Sequence, residues 1–262
     1  IMILLAFLSL GPFAWLVSTA MKGPGENLFQ YPPKFIPEEF TLNNFIRVFD
    51  SIPFLRYFIN SSIVAASSII LNIVISAMAA FPLARMHFRG KKTIFMGILS
   101  TMMIPFQVTM IPIFIIITRM GLKNNFLGLI LPTAVTAFGI FLLRQAFLTI
   151  PDSLEEATLI DGGGAWLVFS RILIPLSKPA IAALAIFSFI NSWGNFLWPL
   201  LILDTKEMFT LPLGLQDLQG TFINDWRLIA SGTVLSVIPV LVFFSFTQKY
   251  FVEGVTSSGI KE

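Results

Sequence analysis

Charged residues, cysteine and histidine are scarce in this 262-residue chain. Cysteine is absent and histidine occurs once, so the sequence offers no disulfide framework and no thiol chemistry. Charged residues make up 12% of the chain, against roughly 25% in soluble domains. Hydrophobic residues make up 56% and the mean hydropathy is +0.84. These shortages and excesses favour a membrane protein over a soluble one.

The few charges leave six long stretches free of Asp, Glu, Lys and Arg. These stretches are residues 1–21, 57–84, 93–118, 124–143, 179–203 and 228–248. Each contains 20 residues or more, and about 20 helical residues cross a hydrocarbon core of roughly 30 Å. A charge at mid-membrane costs at least about 2.5 kcal/mol, so gaps of this length indicate spans. We predict an all-α, polytopic helical membrane protein, in which residues 1–262 form one domain with six transmembrane helices.

The segments between the spans indicate how the chain is oriented. Four cations lie together in residues 85–92, and cytoplasmic loops of membrane proteins are enriched in Lys and Arg. We therefore predict that both termini are cytoplasmic and that residues 22–56 and 204–227 form outer loops. The net charge of +3 is explained by the inner loops. It therefore predicts contact with membrane lipid and not with nucleic acid.

The start of the chain carries two further expectations. Residue 1 is Ile and not Met, so we expect additional residues before it. Ser18-Thr19-Ala20 has the small-residue spacing of a signal-peptidase site. The apolar run before it exceeds the 7–15 residues usual for a signal peptide, so we expect the first span to stay in the protein.

The pattern of polar residues does not support catalysis by this chain. An intramembrane enzyme needs carboxylates, a His pair or a Ser–His set within its spans, but the spans carry no charge and His87 lies in a loop. Residues 90–93 look like the end of a phosphate-binding loop. However, Arg85 occupies the position of the first glycine and Lys92 that of the Ser or Thr. We predict a non-enzymatic chain without catalytic residues, metal ligands or a cofactor of its own.

Residues 151–175 form a polar, glycine-punctuated loop between apolar spans. Ser153, followed three residues later by Glu156, has the spacing of a capping box and predicts a helix start. Asp161 and three glycines should end this helix within two turns, because glycine adopts the left-handed backbone that such an end requires. A second helix is expected from near Ala165 to Pro175. The sequence thus predicts a short exposed helix braced by a second one.

This loop resembles the EAA loop of ATP-binding-cassette importer permeases. The family pattern is E-A-A, three residues, G, nine residues and I-x-L-P. Here it is matched by Glu156-Ala157-Thr158, Gly162 and Ile172-Leu173-Ile174-Pro175, with Thr158 and Ile174 as departures. Three other stretches resemble the second permease subunit of maltose-type carbohydrate importers. They are MIPFQVTMIPIF at 103–114, NSWGNFLWPL at 191–200 and QKYFVEGVT at 248–256.

The resemblance implies a coupling role for the loop. Its short helix would enter a cleft on a cytoplasmic ATPase subunit and transmit the closure of the ATPase dimer to the spans. The residues implied in ATPase coupling are Leu154, Glu155, Glu156, Ala157, Thr158, Leu159, Ile160, Asp161 and Gly162. The resemblance also implies a sister transmembrane permease, an extracytoplasmic solute-binding protein, and ATP with Mg²⁺ bound by the ATPase partner.

Polar residues in the predicted spans are candidates for a substrate pathway. Ser188, Asn191, Ser192 and Asn195 recur at helical spacing in span five, with Trp193 and Trp198 among them. Gln107 lies between two prolines in span three. Amide and hydroxyl groups can exchange hydrogen bonds with sugar hydroxyls, and aromatic rings can stack on sugar faces. Packing between helices is the alternative, since Asn and Ser also bond across membrane helices.

Taken together with the resemblance, these features predict a permease subunit in the cytoplasmic (inner) membrane of a bacterium or archaeon. The expected substrate is a carbohydrate, or a related polyol or sugar phosphate. The alternative is a permease of the same superfamily for an amino acid, phosphate or another oxyanion. An intramembrane enzyme is the more distant alternative.

Overall fold

Helices make up nearly all the regular structure in the computed structural model, which describes residues 2–219 and 225–259. Residues 220–224 of the predicted outer loop, and the side chains of residues 250–259 in the tail, lie outside the described part. In chain order, the helices are α1 (Met2–Ala20), α2 (Asn43–Ser51), α3 (Phe54–Arg85), α4 (Lys91–Thr101), α5 (Phe106–Arg119), α6 (Phe126–Ile130), α7 (Ala137–Thr149), α8 (Asp152–Ile160), α9 (Ala165–Leu167), α10 (Ile174–Leu176), α11 (Lys178–Trp193), α12 (Leu197–Ile202), α13 (Leu211–Gly214) and α14 (Trp226–Gly259). The predicted all-α class is confirmed.

Two helices, α3 and α14, are each long and apolar enough to cross a membrane. Three pairs of shorter helices also qualify if each pair is counted as one bent span. The pairs are α4 with α5, bent by 98°, α6 and its 3-10 extension with α7, bent by 45°, and the helical segment 165–176 with α11, bent by 73°. The helical stretch Leu8–Ala20 is apolar but shorter. The number of passes, six, stays a prediction.

The break between α4 and α5 has a local cause in the sequence. Pro105 immediately precedes α5 with φ −59° and ψ 139°. Proline has no N–H to donate to the preceding turn and disfavours helical geometry in the residue before it. The chain therefore leaves the helix after Thr101 and begins a new one at Phe106. Pro112, by contrast, lies inside α5 without ending it.

The chain divides into two compact units, the first made of residues 1–61 and 204–242. In this unit, the Lys22 ammonium is buried beside the Glu26 carboxylate at 3.5 Å and also donates to the Lys34 carbonyl at 2.7 Å. The Asn44 amide of α2 donates to the carbonyls of Ala20 and Lys22, both at 2.9 Å. These bonds order the chain immediately after α1.

A second ion pair of the first unit joins α2 to the start of α14. The Arg47 guanidinium lies 2.8 Å from the Asp225 carboxylate, which also accepts from the backbone N–H of Arg227 at 3.1 Å. Burial raises the pKa of the Asp225 carboxyl, but the hydrogen bond and charge of Arg47 and the backbone donors outweigh it. The pKa of Asp225 is therefore lowered from its usual value, and the carboxylate stays ionised at neutral pH.

The second unit consists of residues 62–203 and 243–262 and contains the loop that the sequence singled out. Its hydrophobic core is formed by one stripe of α3, the end of α7, the segment 165–176 and the start of α11. The buried members are Ala77, Ala80, Phe81, Ala84, Leu143, Phe147, Ile150, Val168, Phe169, Leu173 and Leu184. The small residues of α3 allow the other helices to approach closely. The core therefore lies directly behind the loop and supports it.

Candidate functional site

The short helix predicted in the loop exists as α8, but its start differs from the prediction. The helix begins at Asp152 with Pro151 as its N-cap, and no side chain caps it. Ser153 lies inside the first turn and cannot accept from the N–H groups at the helix end, so the predicted capping box is wrong. The first turn carries the acidic residues Asp152 and Glu155 instead. Negative charge in that position stabilises a helix through its dipole.

The carboxylates of this first turn face a buried cation from another helix. Arg85, in the last turn of α3, donates through its guanidinium to Asp152. Its Nε lies 3.8 Å from the Glu155 carboxylate. The Arg85 side chain is only 6% exposed, whereas the Asp152 side chain is 81% exposed and that of Glu155 29%. The cation is therefore buried, and the carboxylates that it meets keep part of their contact with solvent. Arg85 was assigned from the sequence only to the inner loop charge, because nothing local connects it to residues 67 positions away.

The end of α8 is a tight glycine turn, as the sequence predicted. Gly162 has φ +81°, in the left-handed region. The Gly163 N–H donates to the Thr158 carbonyl at 2.8 Å, and the Gly162 N–H donates to the Leu159 carbonyl at 3.1 Å. This pair of bonds is the Schellman arrangement that ends many helices. It reverses the chain within two residues and leaves the preceding helix exposed.

Thr158 is the one buried residue of the predicted coupling set, which the structure otherwise leaves partly or fully exposed. Its hydroxyl donates to the Leu154 carbonyl one turn earlier at 2.8 Å, so the hydroxyl is satisfied inside the helix. A side chain on Gly163 would come within 2.7 Å of the Thr158 methyl group. Thr158, where the family pattern has alanine, is therefore accommodated by a glycine across the turn.

The outward face of the loop combines acidic and apolar side chains. Glu156 is exposed, and Ile160 is 86% exposed at the tip of α8. Trp166, at the start of the second helix, is 70% exposed. Large apolar residues grouped on a surface mark interaction sites. Trp166 is not among the residues that the sequence singled out; an aromatic residue just beyond a glycine turn was the available signal.

The second helix of the loop is continuous from Ala165 to Leu176 and is anchored in the core. Its middle, Val168–Leu173, has π-helical hydrogen bonding, a rare form that is frequent at functional sites. Phe169 contacts the rings of Phe81 and Phe147, with centroids 5.3 and 6.4 Å apart, and that of Trp166 at 5.3 Å. Packed aromatic rings thus connect the outer end of the loop to α3 and α7.

Among the candidate pathway residues, Ser188 is part of a buried hydrogen-bond network. Its hydroxyl accepts from the Asn72 amide of α3 at 2.9 Å. The Asn72 carbonyl oxygen accepts from the Ser76 hydroxyl at 2.9 Å, and from the backbone N–H and hydroxyl of Thr136 at 3.1 and 3.2 Å. These bonds join α3, α7 and α11. The geometry of Ser188 is that of the packing alternative.

The spacing predicted that the candidates of span five share one face of one helix, but the structure does not place them so. Helix α11 ends at Trp193, so Asn195 lies beyond it and accepts from the Trp198 N–H at 3.2 Å at the start of α12. Asn191 is exposed and donates to the Phe187 carbonyl of its own helix at 2.9 Å. Ser192 is half-buried. The glycine at 194 interrupts the helical spacing that the prediction assumed.

Two further residues complete the comparison with the predicted pathway. Gln107 is exposed in the first turn of α5, next to the break at Pro105. Trp198 is buried, and its indole N–H donates to the Gly128 carbonyl at 3.1 Å, so its ring packs between helices. Within residues 2–219 and 225–259, no group of three or more His, Cys, Asp or Glu side chains is placed to hold a metal ion.

The fold and this loop define a class of protein: a helical, membrane-embedded subunit with a short, braced helix exposed at its surface. The chain belongs to the family of binding-protein-dependent transport system inner membrane components, whose model matches residues 72–257. The resemblance to importer permeases, drawn from the loop and three other stretches, is confirmed. The chain is therefore a transport subunit that operates with an ATPase and a solute-binding protein.

Relatives of known name are similar over most of the chain. The arabinooligosaccharides transport system permease protein AraQ of Halalkalibacterium halodurans is 36% identical over 228 residues, covering 87% of this chain and 82% of its own. AraQ of Bacillus subtilis is 38% identical over 227 residues, covering 86% and 80%. The diacetylchitobiose uptake system permease protein NgcG of Streptomyces coelicolor is 30% identical over 263 residues, covering 99% and 86%.

A solved structure has the same fold over nearly the whole chain. It is the crystal structure of a bacterial ABC transporter involved in the import of the acidic polysaccharide alginate. The TM-score is 0.84 at 25% sequence identity, and the match covers 95% of this chain and 92% of the other. The fold that contains α8 is thus shared with an importer of known structure.

Proposed function

We propose that this chain is a permease subunit of an ATP-driven importer for a carbohydrate, in a class that includes oligosaccharides, polyols and sugar phosphates. Its similarity to permeases named for arabinooligosaccharides and diacetylchitobiose supports this substrate class. The structural similarity to an alginate importer supports it independently. None of these relatives favours the alternative of an amino acid or an oxyanion.

The observation that carries the proposal is the exposed helix α8. It is held at its start by Arg85, ended by a Schellman turn at Gly162, and braced by a second helix packed into the core. A helix fixed at both ends can transmit a displacement without absorbing it. Its exposed Glu156 and Ile160 offer a negative charge and an apolar contact to a cleft on an ATPase subunit.

The remaining parts of the importer follow from this assignment. ATP and Mg²⁺ bind to a dimer of cytoplasmic ATPase subunits, and α8 lies on the cytoplasmic side with both chain termini. A sister permease completes the membrane pathway, and an extracytoplasmic solute-binding protein delivers the substrate. Asn191, Ser192, Asn195 and Gln107 stay candidates for the pathway wall, with Asn191 and Gln107 the most exposed among them, whereas the buried Ser188 forms a bond between helices.

The test uses the complete complex reconstituted in lipid, with ATP hydrolysis measured in the presence of the cognate binding protein. A carbohydrate ligand should stimulate hydrolysis, and a panel of amino acids and phosphate should not. Ile160→Asp should abolish the stimulation and reduce copurification of the ATPase, because it places a charge on the apolar tip of α8. Since Ile160 is exposed, the substitution should leave the fold intact.

Phe88→Asp is the matched control for this experiment. Phe88 is an exposed apolar residue of the predicted inner loop before α4, outside α8, and its substitution should leave the stimulation close to that of the unmodified complex. Stimulation by an amino acid or phosphate would reject the carbohydrate assignment. Full stimulation in Ile160→Asp would reject the coupling role of α8.

A further inference from the structure

Arg85 of α3 contacts groups from two neighbouring helices of the second unit. Besides Asp152 and Glu155 of α8, its guanidinium donates to the carbonyls of Phe147 and Ile150, at 2.8 and 2.6 Å. Those carbonyls belong to the last turn of α7 and the residue that follows it. One buried side chain therefore joins the end of α3, the end of α7 and the start of α8.

Neighbouring cations leave Arg85 free for this role. The last carbonyls of α3 would otherwise attract a nearby cation, since helix C-termini bind Lys and Arg. Here the Arg144 Nε donates to the Leu83 carbonyl at 2.9 Å. The Lys91 ammonium donates to the carbonyls of Ala84 and Met86, both at 3.0 Å. Arg85 can thus point away from its own helix toward α7 and α8.

The groups around Arg85 provide the negative charge and the hydrogen-bond acceptors that a buried guanidinium requires. A buried guanidinium is costly unless it is paired and hydrogen-bonded, and planar arginine can serve several acceptors at once where lysine cannot. Its Nε has no hydrogen-bond partner among the described residues and lies 3.8 Å from the Glu155 carboxylate. A small rotation of α8 would close that gap. Arg85 therefore has one contact, that with Glu155, whose length depends on the position of α8.

We infer that Arg85 is a positioning residue of the transport cycle: it holds α8 to α3 and α7, so that movement of α8 moves both spans. This inference rests on the proposed coupling function of α8. Core packing of Phe169 holds the far end of the loop, while Arg85 holds the near end. Losing Arg85 should leave α8 attached to the ATPase but loosely attached to the spans.

The test compares Arg85→Gln, Asp152→Asn and the double variant in the reconstituted complex. Arg85→Gln should retain ATPase copurification and basal hydrolysis. The stimulation by loaded binding protein should fall about tenfold, within the range that substitutions along coupling networks produce. The double variant should be no worse than Arg85→Gln alone, because both substitutions remove the same contact. Arg89→Gln, an exposed cation four residues further along, is the matched control and should retain full stimulation.

Three outcomes would overturn the inference. The first is full stimulation in Arg85→Gln, and the second is independent, multiplicative losses from Arg85→Gln and Asp152→Asn. If Arg85→Gln does not assemble, Arg85→Lys is used in its place and should assemble with reduced stimulation. The third contrary outcome is that Arg85→Lys either fails to assemble or retains full stimulation. Ile160→Asp separates the two proposals. Full stimulation in Ile160→Asp rejects coupling through α8 altogether. Loss of stimulation in Ile160→Asp together with full stimulation in Arg85→Gln rejects only the role of Arg85.

Discussion

Gly162 and Gly164 lie two residues apart in the same turn but place different demands on the backbone. Gly162 has φ +81°, where a side chain is strained, and no atom lies within 4 Å of the position its Cβ would occupy. Gly164 has equally open space but φ −96° and ψ 177°, an extended conformation open to any residue. The need for glycine at 162 is therefore purely conformational.

This difference predicts separate effects for the same added methyl group. Gly162→Ala should weaken the end of α8 by about 1 kcal/mol, the cost of a left-handed residue with a side chain. Hydrogen exchange of amides in residues 157–163 should accelerate about fivefold, which corresponds to that free energy. Gly164→Ala should leave the exchange rates unchanged. Equal acceleration in both variants would show that the added methyl group destabilises the turn through steric crowding and not through backbone strain.

At the break before α7, side chains take over the lost backbone bonds. Between the 3-10 turn after α6 and the start of α7, the N–H of Thr136 has no helical partner and donates to the Asn72 oxygen at 3.1 Å. The Thr136 hydroxyl in turn caps α7 by accepting from the Gly139 N–H at 3.0 Å. Replacement of this kind is what a broken helix within a membrane span requires.

Asn72 should accordingly stabilise the packing of α3, α7 and α11 more than Ser76 does. Asn72→Ala removes four hydrogen bonds at an average of about 0.6 kcal/mol each, so the free energy of unfolding should fall by about 2 kcal/mol. Ser76→Ala, one turn away on α3, removes one of these bonds and should cost about 0.6 kcal/mol. Denaturant titration of the purified protein in detergent measures both values. Equal losses would mean that Asn72 does not join the three helices in the folded state.

The predicted orientation in the membrane, a property of the whole molecule, rests on the cations near the end of α3. The chain contains no cysteine, so a single introduced cysteine reports its own side of the membrane. In intact cells, Phe29→Cys in the first predicted outer loop should react with a membrane-impermeant maleimide. Arg89→Cys, in the predicted inner loop, should react only after the cells are permeabilised.

Both positions are exposed in the structure, so lack of reaction reflects the membrane and not burial. Labelling of Arg89→Cys in intact cells, with protection of Phe29→Cys, would reverse the orientation and place α8 outside. Such a result would exclude contact between α8 and a cytoplasmic ATPase, and with it the proposed coupling.

The class of the fold and the position of the loop could be predicted from the sequence. A charge-free run indicates that a segment lies in an apolar environment, and the glycines after Asp161 indicate a left-handed turn in the backbone. Both signals come from residues that are neighbours in the chain, and so does the EAA spacing that indicates the family. The capping box failed because Pro151 and Arg85, and not Ser153, organise the first turn of α8.

Contacts between residues that are distant in the chain could not be predicted and are seen only in the folded protein. Arg85 and Asp152 are separated by 67 positions, and Asn72 and Ser188 by 116. No local pattern encodes such pairs, because they depend on how the helices of the second unit pack. Packing likewise turned Ser188 and Trp198 inward, although their polarity and aromatic character alone made them pathway candidates. Burial and hydrogen bonding, which composition cannot report, separate a wall of a pathway from a contact between helices.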